Sequence, residues 1–124
     1  MSVLQLDSPQ AAVLTLETLT GRKKARLLTA AQERFRGQLF QALLDRAREH
    51  LAGAAPDKAD NSLDLARRLL GYSANDQAKA RGFFAIAIVW HDGGYLQQAV
   101  AHYRRAAHLF RRANDAGGEL RVQA

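Results

Sequence analysis

The sequence predicts an all-α protein made of antiparallel helix–turn–helix units. Apolar residues recur at i, i+3, i+4 and i+7 through most of the chain. No stretch of useful length alternates as a strand would. Glycine, proline and small polar residues fall where such helices would start and stop.

Ser8-Pro9 reads as an N-cap followed by proline at the first helical position, where its missing N–H costs nothing. The first helix is expected over 9–19, with Val13, Leu14 and Leu16 apolar, and Thr20-Gly21 ends it. A second helical stretch covers 22–34 and continues through Gly37, which weakens a helix without forbidding it. Phe35, Leu39, Ala42, Leu43 and Ala47 share one face of a segment ending near Ala52. Gly53 to Pro56 breaks the chain, and Asp57 or Asp60 is expected to cap the next helix, which carries Leu63, Ala66, Leu69 and Leu70.

Gly71 to Asn75 interrupts again. The most apolar helix follows over 76–91, where Phe83, Ile86, Ala87 and Trp90 take the i, i+3, i+4, i+7 positions. Gly93-Gly94 turns the chain. Leu96, Ala99, Val100, Tyr103, Ala107 and Phe110 continue the period, and this helix is expected to run to about Asn114 and stop before Gly117.

The 124 residues suit one domain, and 48% hydrophobic with 24% charged residues is enough to bury a core. No apolar run reaches 18 residues, so no membrane span is expected. The opening MSVLQLDSPQ lacks a cationic segment and carries Asp7 early, unlike a secretory signal. The absence of cysteine removes disulfides, thiolate zinc sites and cysteine nucleophiles together. These features point to the cytoplasm.

A 40-residue shift of the chain against itself aligns six packing positions: Leu43 with Phe83, Ala47 with Ala87, Ala59 with Ala99, Leu63 with Tyr103, Ala66 with Ala106, and Leu69 with Leu109. Arg46 against Ile86 and His50 against Trp90 break the agreement. Antiparallel helices joined by a short turn approach closely beside it, so alanines belong there and aromatic residues farther out. Ala87 is expected to face Ala99 across Gly93-Gly94, with Trp90 and Tyr103 around them.

With Phe83, Ile86-Ala87, Trp90, Gly94, Ala99, Tyr103 and Ala106 in this order, residues 80–119 resemble the tetratricopeptide repeat (TPR) family. The proline that ends the second helix of that family is replaced by Arg111. The longer helices are similar to variants of about 40–42 residues rather than the usual 34 or so. The resemblance implies a TPR-like solenoid fragment within one domain, 1–124: irregular amino-terminal helices packed over 1–34, a degenerate repeat over 35–79, a clear one over 80–119, and a tail over 120–124. The layout is also similar to the amino-terminal arms of bacterial TPR proteins that carry a carboxy-terminal effector, such as caspase-like CHAT proteins, whose clear repeat ends in a phrase like LFRRANDAGGELR.

The chemistry-bearing residues point away from catalysis. His91 and Asp92 are adjacent, about 100° apart on a helix, and do not converge on one ion. His102 and His108 miss the i, i+4 spacing of two ligands on a helix. Glu33, Asp45, Glu49 and Asp64 form no evident pair, and no phosphate loop, nucleophile elbow or zinc-protease motif occurs. No enzyme, cofactor or metal site is expected.

Two surfaces are candidates for a partner. With Phe83, Ile86, Ala87 and Trp90 turned inward, Phe84 and Ile88 point elsewhere. The TPR resemblance implies that this other direction is a concave groove, lined also by Arg81, Ala85, His91 and Asp92. An exposed Phe84–Ile88 patch would suit an apolar peptide or helix. The alternative is that the first helix folds back and fills it. The second surface is basic. Net charge is +6, and 14 of the 18 basic residues are arginine. Arg22, Lys23, Lys24 and Arg26 cluster near one helix start, and Arg104, Arg105, Arg111 and Arg112 line another helix. A solvated face is the ordinary meaning of such a stripe, and nucleic-acid binding is the functional alternative. A third expectation is self-association: a new helix should begin near Ala116, leaving the apolar edge of 95–114 only partly covered.

Overall fold

The computed structural model describes residues 13, 14, 33–72 and 75–123. All elements among them are helices: α1 (Glu33–Ala52), α2 (Pro56–Leu70), α3 (Asp76–Asp92), α4 (Leu96–Arg112) and α5 (Ala116–Gln123). The chain divides into two compact units between Leu69 and Leu70. Of the helix expected over 9–19, Val13 is buried and Leu14 is exposed. The remainder of that helix, the basic cluster at Arg22–Arg26 and most of the 22–34 segment lie outside the described residues.

One turn recurs three times. A left-handed residue follows the helix: Ala54 (φ 56°), Gly94 (φ 88°) and Asn114 (φ 57°). The next N–H bonds back five residues, from Ala55 to the His50 carbonyl (2.8 Å), Tyr95 to Trp90 (2.9 Å) and Asp115 to Phe110 (2.8 Å). The left-handed residue itself bonds back three, to Leu51, His91 and Arg111. This is the Schellman arrangement, which satisfies carbonyls that a helix end otherwise strands. The next helix then starts at once. Ala55, Asn75, Tyr95 and Asp115 each accept the first helical bond, from Ala59, Lys79, Ala99 and Glu119. Those four starts lie at 55, 75, 95 and 115, so the 40-residue period contains two equal halves.

The first unit holds α1 and most of α2. Leu39, Leu43, Leu44 and Ala47 of α1 and Ala59, Leu63, Leu65, Ala66 and Leu69 of α2 are buried. The expected cap at Asp57 or Asp60 is corrected: α2 begins at Pro56, placing Asp57 inside its first turn. Proline at the first helical position needs no N–H partner, and a carboxylate there suits the helix dipole.

In the second unit α3 and α4 pack along their length, and α5 packs on α4. Ala80, Ala106, Leu109 and Phe110 form a buried cluster, with Phe83, Phe84 and Val122 against it. Ala87 and Ala99 are buried on the two sides of the Gly93-Gly94 turn, as close approach of the helices requires. α4 stops before Gly117 as expected, at Arg112 rather than about Asn114, and Gly117 and Gly118 lie inside α5. Asparagine tolerates the left-handed turn at 114, and Asp115 caps α5 by accepting the Gly118 N–H (2.8 Å). Gly118 has no room for a Cβ because the Phe110 ring occupies that space.

Polar bonds join the helix ends of this unit. Asn75 Oδ1 accepts the Gln77 and Ala78 N–H groups, and Gln77 Nε2 donates to Asp115 Oδ2 (2.8 Å). Arg112 pairs with Asp76 (3.4 Å) and Arg111 with Glu119 (2.8 Å).

Two predictions follow from the backbone and its caps. Gly37 lies in α1 with nothing near a built Cβ, whereas Ala54 sits in the left-handed region. Gly37→Ala should add about 1 kcal/mol of stability. Ala54→Gly should add about 0.5–1 kcal/mol, the relieved strain less the entropy a glycine costs. A lower melting temperature for either variant contradicts the corresponding assignment. The Gly118 N–H, and then Gln77, hold the Asp115 carboxyl below its ordinary 3.8. Its contribution to α5 is therefore complete at neutral pH and lost as pH falls from about 3.8 through the lower folded value. The protection of the Gly118 amide against hydrogen exchange, relative to its intrinsic rate at each pH, should fall across that window, and Asp115→Asn should remove this dependence.

Candidate partner-binding surface

Helix α3 turns Ala80, Gly82, Ile86, Ala87, Val89 and Trp90 inward. Arg81, Phe84, Ala85, Ile88, His91 and Asp92 occupy the remaining arc, at spacings that keep them on one side of the helix. Arg81, His91 and Asp92 are exposed, while Phe84, Ala85 and Ile88 are half-buried. The exposed Phe84–Ile88 patch expected from spacing is thus only partly exposed. Phe84 packs against the Ala80–Phe110 cluster, and the Tyr103 ring of α4 lies 5.6 Å from its own.

Tyr103 also reaches the polar end of the strip. Its hydroxyl is 3.3 Å from His91 Nδ1, and the two rings meet edge to face at 6.1 Å. Phe84, Tyr103 and His91 therefore form a continuous row, apolar at one end and hydrogen-bonding at the other. Burial, and then the Asp92 carboxylate, push the Tyr103 phenol above its ordinary 10.0, so it carries its proton at neutral pH. The spacing of Tyr103 assigns it to packing, and only the geometry adds its hydroxyl to the strip. Trp90 is buried and packs edge-on against Tyr95 at 5.5 Å.

Phe83 is half-buried rather than a full core residue. His102 stacks on it at 6.3 Å, and the Arg105 guanidinium lies 5.7 Å from its ring centre. His102 Nδ1 sits 2.8 Å from the Gln98 carbonyl oxygen and must donate to it, because a carbonyl only accepts.

The four arginines of α4 do not form one free stripe. Arg111 and Arg112 are paired with Glu119 and Asp76, and Arg105 covers Phe83. Arg104 is exposed. On the edge of the unit, α5 meets α4 near Phe110, and Leu96, Val100 and Leu120 remain exposed. Among the described residues no helix is long and apolar enough to cross a membrane, and no group of three histidine or acidic side chains is placed to hold a metal.

Comparison with known proteins returned no matching family model, no matching curated protein and no matching solved structure.

The influence of Asp92 on Tyr103 can be tested by following phenol absorbance against pH. The chain has three tyrosines, and a Tyr103→Phe reference isolates the transition of interest. Asp92→Asn should bring that transition back toward 10.0. An unchanged or higher midpoint would show that burial alone raises it.

Proposed function

We propose that this chain is a non-catalytic, TPR-like interaction module that binds a peptide or helix of a partner protein along α3, acting in the cytoplasm. The observation that carries this reading is the Phe84–Tyr103–His91 row, bordered by Ile88 and by the exposed Arg81 and Asp92. Half-buried aromatic and aliphatic groups offer contact area with little ordering cost, and the polar groups at both ends select orientation. The recurring turn supports the repeat part of the reading, since equal half-units are what a helical solenoid stacks. The pairing of Arg111 and Arg112 weighs against nucleic acid as the ligand, because phosphate would have to displace two carboxylates there.

A peptide library displayed on phage and selected against the folded chain tests the proposal. Selected peptides should shift the amide resonances of 81–92 and Tyr103. Ile88→Lys should weaken them about tenfold by removing an apolar contact, while the lysine stem preserves packing at this half-buried position. Raising salt from about 0.1 to 0.5 M should change affinity little, unlike phosphate neutralisation. Peptides that bind Ile88→Lys as tightly as the parent would overturn the assignment.

A further inference from the structure

Two of the positions at which the 40-residue register fails lie together in the structure of the first unit. Ile86 and Trp90, buried in the second unit, correspond to Arg46 and His50 in the first. Arg46 and His50 are half-buried and line a cleft of about 540 Å³, whose other wall is α2 with Lys58, Ser62, Asp64 and Arg68. Groups that would fill a hairpin are replaced here by polar heads around open space.

Ser62 is the one buried polar residue among those described, at 2% exposure. The described residues supply no hydrogen-bond partner for its hydroxyl, and none of their polar side-chain atoms is both sealed from solvent and unpartnered. The hydroxyl therefore opens on the cleft that Ser62 lines. An inaccessible hydroxyl without a partner would cost about 1–3 kcal/mol, so a donor left facing a cavity suits an acceptor that arrives from outside.

The charge has the sign that such an acceptor needs. Among the described lining residues, Arg46, Lys58 and Arg68 face one carboxylate, Asp64. Asp64 is already held by Arg68 (3.2 Å) and by Arg67 just outside the cleft. Arg46 pairs with Glu49 at 3.3 Å, a contact between partly exposed groups, and it makes a further interaction besides. Lys58 makes no ion pair among the described residues. Guanidinium groups, an ammonium and a hydroxyl together are the donors that a tetrahedral phosphate recruits. The volume exceeds that of bare phosphate and falls in the range of small-molecule sites, about 300–1,000 Å³.

We propose that the α1–α2 cleft binds a small phosphomonoester, with Arg46, Lys58, Arg68 and Ser62 on the phosphate and the remaining space taken by a polar body the size of a pentose. This site is separate from the α3 strip, and either can fail without the other.

The test is a nuclear magnetic resonance titration of the full chain at low ionic strength with ribose 5-phosphate, ribose and inorganic phosphate. Ribose 5-phosphate should shift amides of 46–68 with a dissociation constant below about 1 mM, and ribose should not. Tighter binding of ribose 5-phosphate than of phosphate would support a role for the body of the ester. Equal binding of the two would overturn that part and leave a phosphate site. Lys58→Met should weaken binding about tenfold, the loss of one charge-assisted bond. The double variant Arg46→Ile, His50→Trp carries the residues of the second unit and should close the cleft, abolishing binding without lowering the melting temperature. No shift in 46–68 at about 5 mM ribose 5-phosphate, well above that constant, or undiminished binding to folded Lys58→Met, would overturn the proposal.

Discussion

Three helix reversals among the described residues depend on one constraint, a single residue in the left-handed region followed immediately by the next helix. At 54, 94 and 114 that residue closes the preceding helix through the same pair of bonds, and the following residue opens the next. The turn therefore sets where the new helix begins and the phase at which it begins. With about 3.6 residues per turn, a start displaced by one residue rotates every side chain by about 100°. Starts at 55, 75, 95 and 115 place corresponding side chains at corresponding depths, so Ala66 and Ala106, or Leu69 and Leu109, are buried alike. Three different residues occupy the left-handed position, and only glycine does so without strain. Geometry is kept while sequence varies.

Close approach next to these turns has its own chemical condition. Gly82 has no space for a Cβ because Leu70 fills it, and Gly118 has none because of Phe110. Both glycines lie inside helices, where they weaken the backbone by about 1 kcal/mol relative to alanine. What they allow in return is a large side chain seated against bare backbone. Phe110 is 1% exposed as a result. The glycine in α5 thus belongs to packing, although as a letter in the sequence it resembles a stop.

That ambiguity explains which parts of the structure were legible in advance. Fold class, the Gly93-Gly94 reversal, the buried alanines at 87 and 99 and the new helix near Ala116 follow from local rules that tertiary contacts reinforce. The ends of α4 and α2 did not follow so simply. Asn114 and Asp115 compete with Gly117 as punctuation, and the cap bond from Gly118 to Asp115 decides between them. Pro56 similarly outranks the aspartates after it. In the α3 strip, spacing correctly separates Phe84 and Ile88 from the buried arc but is silent about depth. Depth comes from residues of another helix, Tyr103, Ala106, Leu109 and Phe110, which meet Phe84. Charge is also misleading when read by count. A net charge of +6 suggests a basic face, yet Arg111 and Arg112 meet carboxylates brought beside them by folding.

The departures from the repeat carry more information than its agreements. An arginine where the partner unit buries isoleucine, and a histidine where it buries tryptophan, would ordinarily count as decay of the pattern. These two departures border the same cleft, and the opposite wall contributes further cations and a buried serine. Local choices that conflict with a fold usually survive where they serve something other than folding. The turn at Ala54 is closed by backbone bonds that do not use those two side chains. The first unit can thus give up bulk between its helices while retaining their alignment. That freedom distinguishes a hollowed repeat from a failing one.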